Sequence, residues 1–376
     1  MSADSLVAEV AKPAAAAPAG APGRVSWRWE AVGLIAGFAL LALAPLVVGD
    51  TYSRHILIMS FIYAVVASNW DLSLGYGGVF NFGHLALFGI GVYAYGLLTK
   101  LVGLDPWLAF AASGVVSTLA AALVTIPILR LKGLYIILVT FGFAQLVMQI
   151  ILSQSAYTGG TQGMVRIPML TLGEHNMLRD GKLGFYFIAL ALLAASTIFL
   201  RALVRSRLGR SIVALRDNEE YAVSRGVSLA RQRLLTLAAS AFFPGLAGAF
   251  YAAYQRNASI DVFGMSLSTI ILSMVLLGGA STIYGAIVAS FALTIFAEVM
   301  SSFGPWRPMI TAVLIIIVML AYPSGLAGLI QAGAGALFRK RGRGLRMGLP
   351  PPYPPPQAGE GIFGGRETRA PSNKHA

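Results

Sequence analysis

Long apolar runs separated by short polar segments make up most of the chain between residues 32 and 330. Several runs approach or exceed the roughly 20 residues that a helix needs to cross a bilayer, and they lack the period-two alternation of barrel strands. The pattern predicts an all-α polytopic membrane protein with about ten transmembrane helices. The predicted spans are Val32–Val48, Ile56–Leu74, Leu85–Val102, Trp107–Leu129, Leu134–Leu152, Leu183–Val204, Leu234–Tyr254, Met265–Leu277, Ile283–Ser302 and Met309–Ile330.

The stretch Arg201–Arg233 interrupts this pattern with a concentration of charge. It contains eight arginines and three acids, and apolar runs flank it on both sides. Charged groups are costly inside a bilayer. A polar, helical insertion between two spans is therefore expected to lie in water at one membrane face.

Charge elsewhere in the chain predicts an orientation. Only 11% of the residues are charged, and the net charge is +13. Basic residues gather in the cytoplasmic loops of membrane proteins, so the positive charge does not indicate a nucleic-acid partner. An even number of alternating spans puts all the basic clusters and both termini in the cytoplasm, and the loop 153–182 on the other side. The clusters are Arg24/Arg28, Arg130/Lys132, the insertion and Arg339–Arg346.

The two ends of the chain differ in composition from the middle. Residues 1–30, rich in Ala and Pro, are expected to form a disordered arm, and residues 331–376 a basic, Pro-rich cytoplasmic tail. The transmembrane domain is then 31–330, with the charged insertion at 205–233. The first apolar run resembles a signal peptide, but Pro45 would directly follow the cleavage site, so we expect a retained span.

The residues that usually carry chemistry are scarce. The chain has no cysteine and only four scattered histidines, which excludes thiol chemistry and argues against a metal site. It contains no G-x-x-x-x-G-K-[ST] phosphate loop, no H-E-x-x-H and no G-x-S-x-G motif. We therefore expect no cofactor, no metal and no catalysis, with any energy supplied by a separate subunit.

Polar groups near the end of the second predicted span form a candidate region. A glycine-rich stretch at 75–84 follows them, and a similar stretch occupies 277–285. The first stretch is either a broken, pore-lining element or a short cytoplasmic turn whose polar side chains hydrogen-bond between helices. The candidate path residues are Asn69, Asp71, Gly77, Gly78, Asn81 and His84. The remaining polar set is Gln145, Gln149, Asp261 and Glu298.

Short motifs in a fixed order carry a family resemblance. They are Gly75–Gly78, Asn81–His84, Gly89–Tyr93, Leu131–Tyr135, Thr140–Phe143, Thr158–Gly160 with Gly163, Gly209–Gly226 and Leu277–Gly279. Glu220, Ala222 and Gly226 also match the E-x-A-x-x-x-G core of the cytoplasmic loop of bacterial ABC importer permeases, although its hydrophobic-x-Leu-Pro ending is absent. From about Ile56 to Gly328 the chain resembles the LivM-type permeases of branched-chain amino acid ABC transporters. Two positions depart from that family: Asn81, where Ser is frequent, and Asp71, where an apolar residue is usual.

The resemblance implies an ABC importer permease architecture with a cytoplasmic coupling helix, Ser211–Arg225, docked on an ATPase. It implies a LivH-like second permease, two ABC ATPase subunits and a periplasmic substrate-binding protein, assembled in the lipid bilayer of the bacterial inner membrane. Branched-chain or similar amino acids are the expected cargo, with urea, short-chain amides and small carboxylates still open. A stand-alone secondary carrier would explain the spans but not the insertion, and a lipid-modifying enzyme would need clustered carboxylates or histidines. The expected coupling residues are Arg216, Asp217, Glu219, Glu220, Ala222 and Gly226.

Overall fold

The computed structural model describes residues 27–47, 49–171, 182–321 and 325. The tail at 331–376 lies outside these ranges, as does most of the predicted N-terminal arm, although a helix already begins at Trp27. The α-helices are α1 (Trp27–Val47), α2 (Thr51–Asp71), α3 (Gly83–Lys100), α4 (Pro106–Ile128), α5 (Leu134–Ser153), α6 (Ser155–Thr158), α7 (Leu183–Arg205), α8 (Arg207–Asp217), α9 (Glu219–Ser224), α10 (Leu229–Gln255), α11 (Met265–Gly278), α12 (Ile283–Val299) and α13 (Arg307–Ala321). A π-helix (Leu72–Tyr76), three 3₁₀ segments (Gly160–Gln162, Ile260–Phe263, Met300–Trp306) and the antiparallel pair β1 (Met164–Val165) and β2 (Asn257–Ala258) complete the fold.

Six helical stretches within the described ranges are long and apolar enough to cross a membrane. They are Thr51–Tyr76, Pro106–Ile128, Leu134–Ser153, Leu183–Arg205, Leu229–Gln255 and Ile283–Gly304. Shorter apolar helices occupy Val32–Leu46, Met265–Gly278 and Met309–Val318. The prediction of an all-α, multi-pass membrane protein is confirmed, whereas the count of ten spans and their orientation stay predictions.

The bundle has a buried centre and an open periphery. Over an apolar stretch of 18 residues in each helix, 78% of the residues are buried in Thr51–Tyr76 and 67% in Leu229–Gln255. The buried share in Leu134–Ser153 is only 22%. Helix α10 packs against α3 and α4, and α2 packs against α7 and α12. Helices α2 and α10 therefore form the core of the bundle, and α5 lies at its edge.

Glycine allows the central helices to approach at the level of their backbones. A Cβ on Gly91 of α3 would overlap the carbonyl of Gly245 on α10, and one on Gly248 would overlap the carbonyl of Phe88. Gly285 of α12 meets the end of α11 in the same way. Small residues serve this purpose in membrane helices, and Gly245 and Gly285 serve it here.

The start of α4 has a capping signal in the local sequence. The Asp105 carboxylate accepts the backbone N–H groups of Trp107 (2.9 Å) and Leu108 (3.4 Å), and Pro106 is the first helical residue. An acceptor before the helix and a proline at its first position satisfy the free N–H groups of the first turn.

Candidate functional site

The charged insertion folds as two short helices. Helix α8 ends at Asp217, Asn218 has an extended backbone (φ −156°, ψ 100°), and α9 begins at Glu219. The Asn218 side chain accepts the N–H of Tyr221 at 2.9 Å. The prediction of one continuous helix, Ser211–Arg225, is therefore wrong. An asparagine before two glutamates is an N-cap signal, so this break could have been read from the sequence.

Helix α9 ends in a Schellman motif at Gly226. Gly226 has a positive φ of 87°, its N–H donates to the Val223 carbonyl (2.9 Å), and the N–H of Val227 donates to the Ala222 carbonyl (3.1 Å). This is the left-handed helix end that glycine favours. Gly226 therefore ends the second helix of the insertion, and its coupling role stays a prediction.

Arg216 links the insertion to two turns between membrane helices. We call residues 72–82, between α2 and α3, the first glycine turn, and residues 279–282, between α11 and α12, the second glycine turn. Arg216 Nη1 donates to the Gly75 carbonyl (2.9 Å) in the first turn and to Ser281 Oγ (2.7 Å) in the second. The same guanidinium pairs with Asp217 at 2.9 Å. A side chain predicted to couple to the ATPase thus points toward the bundle.

The second glycine turn also contacts the last residue of α2 and, at Gly75, the first glycine turn. Asp71 Oδ1 accepts the N–H of Ser281 at 2.8 Å, and a Cβ on Gly75 would overlap both groups. Ser281 has a positive φ of 65°, an uncommon conformation outside glycine that the surrounding contacts must hold. Gly78 (φ +64°) packs against the Arg216 side chain, where a Cβ would come within 2.7 Å of Cγ. Asp71, Ser281 and Arg216 therefore link α8 to the turn between α2 and α3 and to the turn between α11 and α12.

Glu219 fixes the other end of the insertion. Its carboxylate pairs with Lys132 (3.4 Å) in the α4–α5 loop and with Arg233 (3.1 Å) on α10. Arg233 also donates to the Leu131 carbonyl at 3.1 Å, and its side chain is only 11% exposed. Neither Lys132 nor Arg233 was among the predicted coupling residues. A cavity of about 290 Å³ lies between the insertion and the bundle, and Gly77, Gly78, Arg216 and Glu219 are among its lining residues.

The opposite side of α9 is open. Glu220 is exposed, as are Tyr221 (58%) and Val223 (46%), whereas Ala222 is buried. The Arg225 guanidinium lies over the Tyr221 ring at 5.2 Å and donates to its hydroxyl at 2.8 Å. The insertion therefore has an inner face that contacts the bundle and an outer face that is exposed within the described residues.

The polar candidate path residues lie inside the bundle. Asn69 donates to Ser196 Oγ on α7 at 2.7 Å, and His84 Nε2 donates to the Ser240 carbonyl on α10 at 3.1 Å. The backbone carbonyl of Asn81 accepts the indole N–H of Trp70, in α2, at 2.9 Å. Asn69, Asp71, Asn81 and His84 are all buried. Of the two interpretations of this stretch, these contacts match interhelical hydrogen bonding, and a role in the path stays a prediction.

A bundle of membrane-length helices whose turns are hydrogen-bonded to a charged two-helix insertion defines a multi-pass membrane protein. The family described as "Branched-chain amino acid transport system / permease component" matches residues 53–323. The chain belongs to this family, and it is a transport permease rather than an enzyme.

Curated relatives agree with this assignment. The LivM permease of the high-affinity branched-chain amino acid transport system of Salmonella typhimurium is 30% identical over 295 residues, covering 73% of this chain and 69% of that protein. Its Escherichia coli (strain K12) counterpart is 30% identical over 289 residues, covering 71% and 68%. The LivH permease of the same E. coli strain is 23% identical over 291 residues, covering 71% and 91%. No solved structure gives a significant match.

Proposed function

We propose that this permease subunit forms half of the translocation path of an ATP-driven importer for branched-chain or similar amino acids. Its LivM relatives are named as permeases of high-affinity branched-chain amino acid transport systems. The proposed location is the bacterial inner membrane, with both termini in the cytoplasm, because the basic clusters then follow the positive-inside rule. The proposed partners are a LivH-like second permease, two ABC ATPase subunits and a periplasmic substrate-binding protein.

The insertion is the proposed coupling element, and its two faces support this role. On the outer face, the largely apolar side chains of Tyr221 and Val223 are exposed beside the charged Glu220. An exposed apolar group rimmed by charge is typical of a protein contact surface. We assign this face to the ATPase.

On the inner face, the Arg216 hydrogen bonds carry the proposal. Because the glycine turns immediately precede α3 and α12, a displacement of α8 would pull on the starts of two membrane helices through Gly75 and Ser281. Glu219 anchors the same insertion to α10 and the α4–α5 loop. Closure of the ATPases is thereby transmitted to the bundle as a rigid displacement of helix ends.

Charge reversal on the outer face tests the coupling assignment. Glu220→Arg is expected to weaken ATPase docking and to lower ATP-dependent uptake, with the permease still in the membrane. Arg207→Glu is the matched control, because Arg207 is an exposed charge at the far end of the insertion. Normal uptake with full ATPase co-purification in Glu220→Arg would contradict the assignment.

Inactivating the ATPase tests the importer itself. Uptake should stop when the ATPase subunits cannot hydrolyse ATP, and persistent uptake would identify a stand-alone carrier instead. A ligand screen on the cognate binding protein distinguishes branched-chain amino acids from urea, short-chain amides and small carboxylates.

A further inference from the structure

The outward faces of the peripheral helices differ in polarity. In the middle of α4, α7 and α12 the exposed side chains are apolar, as expected for contact with lipid. They include Leu119, Leu123, Ala195, Ile198, Val288 and Ile295. Helix α5 differs, because its exposed positions include the amides Gln145 and Gln149.

The two amides lie on one line along α5. Leu138, Gly142, Gln145 and Gln149 are exposed and fall within an arc of about 60° at 3.6 residues per turn. We call these four residues the amide face. Nothing in the described chain lies within 4 Å of the position that a Cβ on Gly142 would occupy.

The depth of the amides makes lipid contact unfavourable. At 1.5 Å per residue, Gln145 and Gln149 lie about 17 and 23 Å from the start of α5, whose 20 residues match a hydrocarbon layer of about 30 Å. Lipid tails offer no hydrogen bonds, so an amide facing them would leave its polar atoms unpaired. No described residue hydrogen-bonds either side chain, and α5 is the least buried of the six membrane-length helices. Their partner therefore lies outside the described residues.

We propose that the amide face of α5 lines the substrate route where this chain meets the second permease, and that Gln145 and Gln149 bind the polar groups of a zwitterionic amino acid. An amide accepts from an ammonium group through its oxygen and donates to a carboxylate through its nitrogen. It carries no net charge, so it can hold a zwitterion at this depth without a permanent ion in the membrane. Leu138 offers apolar contact to the aliphatic side chain of the substrate. Gly142, which lies between Leu138 and the two amides on α5, leaves room for the substrate. This proposal rests on the importer function proposed above.

Single-cysteine variants test this proposal, because the chain contains no cysteine of its own. Gln145→Cys and Gln149→Cys would be assembled with a cysteine-free second permease and the ATPases in proteoliposomes. Leu123→Cys on α4 is the matched control, since Leu123 is exposed on an apolar face. The probe is a charged, water-soluble methanethiosulfonate, with and without the binding protein and leucine.

Both α5 cysteines should react about tenfold or more faster than the control, because a thiol ionises in a hydrated route and not in hydrocarbon. Leucine should slow both reactions, and Gln145→Leu should lower leucine uptake while ATPase assembly is kept. The proposal is overturned if the α5 cysteines react as slowly as Leu123→Cys, or if leucine leaves their rates unchanged. A separate measurement tests the importer function itself: if the unmodified protein takes up leucine without ATP, the proposed importer function is wrong.

Discussion

Replacing Arg216 by methionine would cut the link between α8 and the glycine turns while keeping much of the side-chain volume. The guanidinium donates to the Gly75 carbonyl and to Ser281 Oγ, and a thioether has no hydrogen to donate. Asp217, which also pairs with Arg216, has a side chain that is 61% exposed. It would be hydrated after the substitution, so the main loss is the connection to the bundle.

The contacts set the magnitude of the effect. Hydrogen bonds to a charged group contribute about 1.5 to 3 kcal/mol each, which bounds the two Arg216 bonds at about 6 kcal/mol. The Arg216 side chain is still 31% exposed, so solvent screens these bonds and we take about 1 to 3 kcal/mol. A coupling free energy of that size corresponds to a change of about 5-fold to 150-fold.

The assay compares leucine uptake and ATP hydrolysis in the same proteoliposomes. Arg216→Met should retain the ATPases and hydrolyse ATP, while the amino acid transported per ATP falls within that range. Arg207→Met is the matched control, since it removes an equal charge from an exposed position on the same helix. The reasoning is refuted if Arg216→Met transports normally, or if its loss of uptake is no larger than that of Arg207→Met.

Three further substitutions test the packing around the site. Gly91→Ala should destabilise the bundle by about 1 to 3 kcal/mol, since its Cβ overlaps a carbonyl of α10. The measurement is thermal unfolding of the detergent-solubilised protein. The control, Gly37→Ala, should leave it unchanged because a Cβ there meets nothing within 4 Å. Glu219→Gln should cost about 1 to 3 kcal/mol by leaving the nearly buried Arg233 without its carboxylate, and an unchanged unfolding temperature would contradict this. Gly226→Ala should cost about 1 to 2 kcal/mol because of its positive φ, measured as faster hydrogen exchange of the amide that follows it.

The sequence was sufficient wherever one local signal decides the structure. Apolar run length predicts where the membrane-length helices lie, and Asp105 with Pro106 predicts the start of α4. The contacts of Arg216 carry no such signal, because its partners lie 141 residues before it and 65 residues after it. An arginine in a basic insertion is equally suited to lipid headgroups, an ATPase or the bundle. Only the folded arrangement of the two glycine turns distinguishes these partners.

The break at Asn218 has a different origin. The motif that includes Glu220 and Gly226 favours a single coupling helix, whereas the capping signal at Asn218 favours a new helix start. The local signal prevails because the Asn218 side chain satisfies an N–H group that the first turn of α9 would otherwise leave unpaired. The break lets α8 carry Arg216 toward the bundle while α9 presents Glu220 on the outside.

The contacts also give a structural role to Asp71 and Asn81, the two positions at which a departure from the family is expected. A buried carboxylate is costly unless it is hydrogen-bonded, and the Ser281 N–H supplies that bond to Asp71 in the joint that Arg216 completes. The Asn81 side chain donates to Ser73 Oγ at 3.4 Å within the first glycine turn. Asp71 Oδ1 and the Asn81 amide thus act on the geometry of the turns, whereas the buried Asp71 Oδ2 has no hydrogen-bond partner among the described residues. Among the described residues, the amide face of α5 presents exposed amides within a membrane-length helix, and we infer that substrate choice in this chain depends on that face.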